Sequence, residues 1–398
     1  MYLLKKQFAF LILIFIAIIC NGQYRDLSSD AEVSIITIGQ GHLLNDSFGH
    51  SAIRIKDIGF DKIYNYGIFP FHEKGFYLNF MRGKLLYEIG TNNTFQFFKY
   101  YANQNREIRE QVLELTLKEK QTYFEFLENN AKPENKKYLY DFFFDNCATR
   151  LRDVNTLVLK DKVNYKDELL NGNFTFRDLI TQKLDKQVWG KFGIDIALGS
   201  VIDRKATAKE STFLPDYVFK NFKNAKISID KRERPLVKKT NYIYKKNEEI
   251  KMTNKDFFLT PMSLFILIGL VILFITLKDY KQKKQSKWLD FIILFSTGLV
   301  GIVVFLLWFA TDHKATGNNF NIFWAFTPNV VMAFYVFKNK LFLQKYYLLL
   351  LCLLGVTIFL WILKIQVFNL GLIPILIFLA IRYFYNWKLL KVKYKVKI

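Results

Sequence analysis

From Phe257 to the C-terminus the chain is dominated by Leu, Ile, Phe and Val, gathered into stretches that approach the length needed to cross a bilayer. Nothing else in the sequence restricts the fold as strongly. Backbone inside hydrocarbon must satisfy its own hydrogen bonds, and an unbroken apolar run does so by coiling into a helix. Five stretches can be drawn, at 257–277, 289–310, 321–337, 346–363 and 367–385, the third interrupted by Pro328 and Asn329. The loops between them alternate in charge. The first holds Lys278, Lys281, Lys283, Lys284 and Lys287, and the second Asp312, His313 and Lys314. The third holds Lys338, Lys340 and Lys345, and the fourth only Lys364. The tail carries Arg382, Lys388, Lys391, Lys393, Lys395 and Lys397. Because lysine-rich loops stay in the cytoplasm, the tail lies inside and residues 24–256 lie outside. Residues 257–398 are therefore expected to form an all-α membrane domain of about five transmembrane helices.

The N-terminus agrees independently. Lys5 and Lys6 precede an apolar run from Phe8 to Cys20, the pattern of a signal peptide over residues 1–22. An uncleaved anchor and lipid attachment at Cys20 are the alternatives, the latter disfavoured by Ile19. Residues 23–226 have the mixed composition of a globular domain, and the basic, weakly patterned 227–256 reads as a linker to the membrane. The net charge of +22 over 398 residues invites a nucleic-acid reading. The lysines cluster beside apolar spans, where they set topology, so that reading is set aside. Without zinc-type cysteine pairs, a P-loop or a dinucleotide fingerprint, no cofactor or metal is expected.

Of three cysteines, Cys20 closes the N-terminal apolar run and Cys352 lies in a span, which leaves Cys147 as the thiol of the exported domain. A lone thiol in an oxidising compartment makes no internal disulfide, so it is either a small buried hydrophobe or a reactive group. Asp145 and Asn146 before it look like helix caps, and Ala148, Leu151 and Val154 follow at helical spacing. Cys147 would then sit in a first helical turn, where the backbone dipole favours a thiolate. Upstream, Val33–Ile38 reads as a strand. Ser47–Lys56 alternates with period two, with Ile53 and Ile55 on one face and His50, Ala52 and Arg54 on the other. Asp57–Asp61 supplies a turn and Lys62–Ile68 the returning strand. A turn centred on Gly59 pairs Ala52 with Tyr66 and puts Tyr66 on the face of His50; a one-residue bulge brings Asn65 there instead. Thr116–Glu119 is a capping box opening a helix, and Tyr138–Phe144 reads as a buried strand-like run. His42 and His72 read as loop residues. Arg54, Arg82, Arg150 and Arg152 could bind phosphate, but ion pairs with Asp57, Asp145 or Asp153 are the expected use. Cys147 and His50 together are the essentials of a thiol nucleophile with its base.

Several segments, in order along nearly the whole mature chain, resemble the Lnb-type lipoprotein N-acyltransferases. They are Phe48–Arg54, Tyr64–Gly67, Phe76–Lys84, Tyr140–Arg150 and Phe213–Tyr217, with His313, Asn319, Phe320, Asn321 and Trp324 in the membrane half. Lys314 departs from the proline expected after His313. The order of His before Cys is similar to the permuted papain-like fold of the lecithin–retinol acyltransferase and NlpC/P60 group. The expected fold is thus an α+β permuted papain-like thiol domain followed by the membrane helices. The resemblance implies an enzyme of the bacterial inner membrane, multi-pass, with its N-terminal domain in the periplasm. Cys147 would take an acyl chain from a phospholipid as a thioester, with His50 as base. The chain would then pass to the N-terminal amine of a diacylated lipoprotein. Tyr66, Asn65, Asn146, His313, Asn319 and Asn321 are possible supporting residues. His313 is either a substrate contact or an interfacial loop residue. Two other readings compete: a thiol peptidase or amidase acting on cell-wall peptide, and a non-enzymatic envelope module that binds lipid.

Overall fold

The computed structural model describes residues 24–69, 75–165, 174–229, 232–247, 260–338 and 342–395. The expected signal peptide, His72 and residues 248–256 of the expected linker lie outside them. The strands in chain order are β1 (Glu32–Ile38), β2 (His50–Asp57), β3 (Phe60–Ile68), β4 (Leu86–Asn93), β5 (Ile108–Leu113), β6 (Lys137–Leu139), β7 (Val163–Asn164), β8 (Lys226–Ile229), β9 (Arg232–Pro235) and β10 (Val237–Tyr244). The helices are α1 (Phe76–Arg82), α2 (Thr94–Asn103), α3 (Leu117–Asn130), α4 (Cys147–Leu159), α5 (Phe176–Thr181), α6 (Val188–Ala197), α7 (Ala208–Ser211), α8 (Pro215–Asn224), α9 (Pro261–Gln282), α10 (Lys287–Phe309), α11 (Asn329–Tyr335), α12 (Phe342–Ile362) and α13 (Leu372–Lys395).

Seven strands form an antiparallel sheet in the order β10-β5-β1-β2-β3-β4-β6. β1 lies mid-sheet with both faces covered, which is why its sequence is nearly continuous in apolar residues. On one face Tyr123 and Leu127 of α3, Leu151 and Val154 of α4, and Val218 and Phe222 of α8 pack on Ile35, Ile53, Tyr64 and Tyr66. On the other, Phe97 of α2 packs on Ile36, Ala52, Ile63 and Ile108.

The β2–β3 hairpin turns on two residues, Ile58 and Gly59, with Asp57 opposite Phe60. Gly59 takes φ +66°, a conformation glycine adopts without strain. The register ends by setting Ile53 opposite Tyr64, which points Ala52 toward Asn65, not Tyr66. The expected pairing is therefore one residue out, and the correction needs no bulge between these strands. A register shift lies instead between β3 and β4, from Tyr66 to Ile68. Arg150 pairs with Asp145 and Arg152 with Asp153, as expected, whereas Arg54 pairs with Asp61 and Glu110 rather than Asp57.

Two further expectations need correction. The segment 227–256 is not all linker, because β8, β9 and β10 occupy 226–244 and β10 is the edge strand beside β5. Lys238 and Lys239 stand exposed on it, and lysines that shield an edge strand also weaken its apolar alternation. In Tyr138–Phe144 only the start is strand. From Asp141 to Asp145 the chain closes a tight loop by two mutual backbone hydrogen bonds of 3.1 and 2.9 Å.

Among the described residues, four helices are long and apolar enough to cross a membrane: α9, α10, α12 and α13. The expected third span, 321–337, is not a single helix. It has a 3-10 turn at Phe320–Ile322, irregular backbone to Pro328, then α11 and a second 3-10 turn to Lys338. The segment nevertheless runs the length of α10. The Phe320 ring lies 6.3 Å from that of Trp308 near one end, and Phe337 lies 5.0 Å from Trp288 near the other. Between them Gly298 and Gly301 of α10 admit the irregular backbone, since a Cβ at either would collide with Val330 or with the Ala325 carbonyl. Asn329 is buried and donates to Thr297 Oγ1 at 2.9 Å. Non-helical backbone buried against protein in this way is the form tolerated at membrane depth.

Candidate active site

His50 opens β2 and Cys147 opens α4, and the fold brings their side chains together beside Gly67. Asn146 caps α4: its side-chain oxygen accepts from the Ala148 and Thr149 amides, both at 2.9 Å. Its amide donates to the Phe142 carbonyl at 2.7 Å and the Phe213 carbonyl at 2.8 Å. Asn146 therefore fixes the backbone on which Cys147 stands. The backbone N–H groups of Ser51 and Ala148 help to lower the Cys147 thiol below its ordinary value. His50 Nε2 lies 2.6 Å from Asn65 Oδ1. Tyr66 points the other way, into the core, and donates to Asn130 Oδ1 at 2.6 Å. Of the two residues left open by the sequence, Asn65 is the one that holds the imidazole.

Gly67 lies beside both side chains. It has φ +93°, and a Cβ there would stand 3.6 Å from Cys147 Cβ and 3.9 Å from His50 Cε1. The Tyr101 ring lies 6.1 Å from His50, with Arg106 over Tyr101 at 4.8 Å. On the thiol side Tyr87 and Tyr140 stack at 4.1 Å. Burial and then the Cys147 charge push the Tyr87 phenol up to about 12. No local pattern in the sequence marks these aromatic neighbours, which arrive from three separate elements.

The electrostatics favour an ion pair. Burial raises the Cys147 thiol, but the His50 charge, its hydrogen bond and the two backbone donors outweigh it, and the thiol titrates below its ordinary value. Burial lowers His50, but the Cys147 charge and the hydrogen bonds to Cys147 and Asn65 outweigh burial and the opposing charge of Arg106, so the imidazole titrates above its ordinary value. Among the described residues no group of three or more His, Cys, Asp or Glu side chains could hold a metal ion.

The sequence matches the family model of the Lnb N-terminal periplasmic domain over residues 23–182 and that of the Lnb transmembrane domain over residues 252–394. The chain belongs to the Lnb-type lipoprotein N-acyltransferase family. No curated protein and no solved structure matches it. It is a multi-pass membrane protein with a periplasmic, sheet-rich N-terminal domain followed by a helical membrane region.

The other expected site residues sit where the two Lnb domains meet. His313, in the loop after α10, packs on Gly83: a Cβ there would lie 2.9 Å from the His313 nitrogen and 3.2 Å from its Cγ. The neighbouring Asp312 N–H donates to the Arg82 carbonyl at 2.9 Å. Lys314 reaches over Phe144, three residues before Cys147. This loop of the membrane domain therefore borders the segment leading to the thiol. Asn319 and Asn321 serve a different end of the interface. Asn319 donates to the carbonyls of Ile196 and Ala197 at 2.8 and 3.0 Å, and Asn321 to those of Asp195 and Ile196 at 3.2 Å each. They satisfy the open C-terminal carbonyls of α6 and join it to the membrane domain, an anchoring role rather than contact with the dyad. His42 lies in the loop between β1 and β2.

Proposed function

We propose that this protein is an acyltransferase of the bacterial inner membrane that moves an acyl chain from a phospholipid, through a thioester on Cys147, to the N-terminal amine of a diacylglyceryl-cysteine lipoprotein. The observation that supports it most is the position of the thiol–imidazole pair within this family's two-domain frame. β1 ends and β2 begins at the edge of the sheet nearest the membrane helices. Leu44 in the loop between them packs against Gly190 of α6, and Phe192 of α6 meets Phe265 of α9 at 5.2 Å. A dyad at that edge suits substrates that never leave the bilayer. In this reading the half-irregular 320–338 segment is a fifth crossing, which returns the chain to the cytoplasmic side before α12.

The chemistry follows from the ion pair. The Cys147 thiolate attacks the ester carbonyl; the C–O bond breaks and the departing alkoxide takes the proton from the His50 imidazolium, leaving a lysophospholipid and a thioester. The lipoprotein amine then attacks the thioester, His50 accepts its proton, and the thiolate leaves with the amide formed. A thioester suits this task because a neutral amine attacks it readily. Asn65 keeps the imidazole turned toward sulfur through both half-reactions.

Comparing the mass spectra of lipoprotein N-termini with and without the protein tests the function. Loss of the third acyl chain alone supports transfer; unchanged lipoproteins beside altered wall peptides would make the protein a peptidase. Within the site, Asn65→Ala is expected to lower kcat/KM roughly tenfold to hundredfold, since it misaligns a base whose whole contribution is about 10²–10⁴. Tyr66→Phe is expected to leave kcat/KM unchanged and to cost about 1 kcal/mol of stability through its lost buried hydrogen bond. Equal kinetic losses in the two variants would remove Asn65 from its role.

Alkylation of Cys147 by iodoacetamide checks the ion pair without any lipid. The thiolate is expected to persist below the pH at which an ordinary cysteine protonates, because its folded value is depressed. In His50→Ala the stabilising charge is gone and burial remains, so the inflection should move upward, past the ordinary value. An unmoved inflection would contradict the pairing.

A further inference from the structure

Two chain connections leave the sheet on either side of the dyad, at the same end of the strands. β1 ends at Ile38, opposite His50, and residues 39–49 join it to β2. β3 ends at Ile68, next to the Gly67 that lies beside His50 and Cys147, and its connection to β4 carries α1. The dyad therefore sits between the two connections. The turn at Ile58 and Gly59 lies the length of β2 away, about 25 Å at the usual rise per residue.

Both connections rest on the outer end of the membrane helices. In the first, Leu44 covers Gly190 of α6, where a Cβ would come within 2.5 Å of it. α6 in turn meets α9 through Phe192 and Phe265, rings 5.2 Å apart, and a Cβ at Gly371, before α13, would lie 3.5 Å from the Phe192 ring. In the second, Gly83 follows α1 and packs on His313, the Asp312 N–H donates to the Arg82 carbonyl at 2.9 Å, and Lys84 pairs with Asp312 at 3.6 Å.

Each connection also turns large apolar side chains outward. Leu43 is 64% exposed and Leu44 40%; on α1, Leu78 is 53% exposed and Met81 58%. Leu78 and Met81 stand three residues apart and so share a helix face, with the exposed Arg82 and Lys84 directly after them. Val188 and Trp189, exposed at the start of α6, extend the first patch. Single exposed apolar side chains are ordinary on a protein surface, and Ile58 is one. These six differ in place, because they gather on segments held against the outer helix ends, where the bilayer surface lies. Apolar side chains beside cations and an interfacial tryptophan match that boundary of hydrocarbon and phosphate.

We propose that both connections dip into the leaflet on the exported side, and that the gap between them is the mouth through which a lipid ester reaches Cys147. The lipid contact stands on these observations alone, whereas passage of the ester through the mouth rests on the acyltransferase reading.

The test uses the full chain in liposomes, with Cys20, Cys147 and Cys352 changed to alanine and one cysteine introduced by Leu43→Cys, Met81→Cys or Ile58→Cys. Each is labelled with a nitrobenzoxadiazole dye, and quenching by lipids carrying a nitroxide near the glycerol is measured. The labels at 43 and 81 are expected to emit to the blue of the label at 58 and to be quenched several-fold more. Blue-shifted emission without quenching would mean that a protein surface, such as a second copy, covers the tips, and would overturn the proposal. So would quenching at only one of the two positions, or equal quenching at all three. In the chain that keeps Cys147, Leu43→Asp with Met81→Asp is expected to lower acyl transfer from vesicle phospholipid roughly tenfold or more, as lost burial of two apolar side chains does. Iodoacetamide should still alkylate Cys147 at the wild-type rate, and Ile58→Asp should change neither readout. Unchanged transfer in the double variant would overturn the mouth as the route. Because quenching is read without the thiol, a protein that proves not to transfer acyl chains leaves that result standing, and the two readings fall separately.

Discussion

Replacing Cys147 with serine is expected to abolish acyl transfer, lowering the rate by about 10³-fold or more, while the protein stays folded and in the membrane. The size of the effect comes from what the site does to a thiol that it cannot do to a hydroxyl. Against the opposing effect of burial, the His50 charge and then the Ser51 and Ala148 amides bring the thiol below its ordinary value. An alcohol starts far higher and would remain protonated beside the same groups. Serine fits the space, and Cys147 packs only against the fringe of the main core, so no cavity accompanies the change. The intermediate distinguishes the variants directly. Wild-type protein given phospholipid without an acceptor should accumulate an acyl adduct that neutral hydroxylamine removes, and Cys147→Ser should not. His50→Ala should lose the adduct too, at unchanged protein level. If Cys147→Ser restores fully triacylated lipoproteins to a deletion strain, Cys147 is not the nucleophile.

How far such a site could be read from the sequence depends on how local each signal is. Cys147 at a helix start was legible because caps act over three or four residues, and Asn146, Ala148 and Leu151 all lie within that range. His50 was legible as a strand residue because its neighbours alternate. Its partner was not, since a single residue of register exchanges Asn65 for Tyr66, and the register depends on whether the hairpin turns on one residue or on Ile58 and Gly59 together. β10 escaped notice for a related reason: its sheet neighbour β5 is more than a hundred residues away in sequence, and its own lysines mask the alternation. The third span was visible as apolar composition. Its break into turns and a short helix depends on Gly298 and Gly301 of another helix, which composition along 321–337 does not report. Asn319 and Asn321 stood out as a motif, but their role is fixed by the end of α6, again distant in sequence.

Arg177→Ala is expected to destabilise the exported domain by about 3–5 kcal/mol, the usual consequence of leaving buried charge without its partner. Arg177 is 4% exposed and donates to Asp195 at 2.9 Å, to Asp203 at 2.7 Å, and to the Leu198 and Gly199 carbonyls. Asp195 keeps Lys191 at 2.7 Å and Asn369, from the membrane domain, at 2.7 Å. Burial already raises the Asp203 carboxyl above its ordinary value despite the opposing pull of Arg177. The folded form thus holds that proton more tightly than the unfolded chain, and stability falls as pH rises through the window between the two values. Without Arg177 the window widens upward, so the defect should be smallest in acid and grow toward neutral pH. Thermal unfolding in detergent at pH 5 and pH 8 measures this; a defect larger at pH 5 would refute the assignment. Arg177→Met combined with Asp195→Asn and Asp203→Asn should recover most of the loss, because it removes the charges along with their partner. Activity should follow stability closely. The adjacent Phe176 packs on Phe143 at 5.5 Å and on Phe213 at 5.7 Å, and Asn146 binds the Phe213 carbonyl. Loosening this joint to the membrane domain therefore loosens the loop on which Cys147 is held.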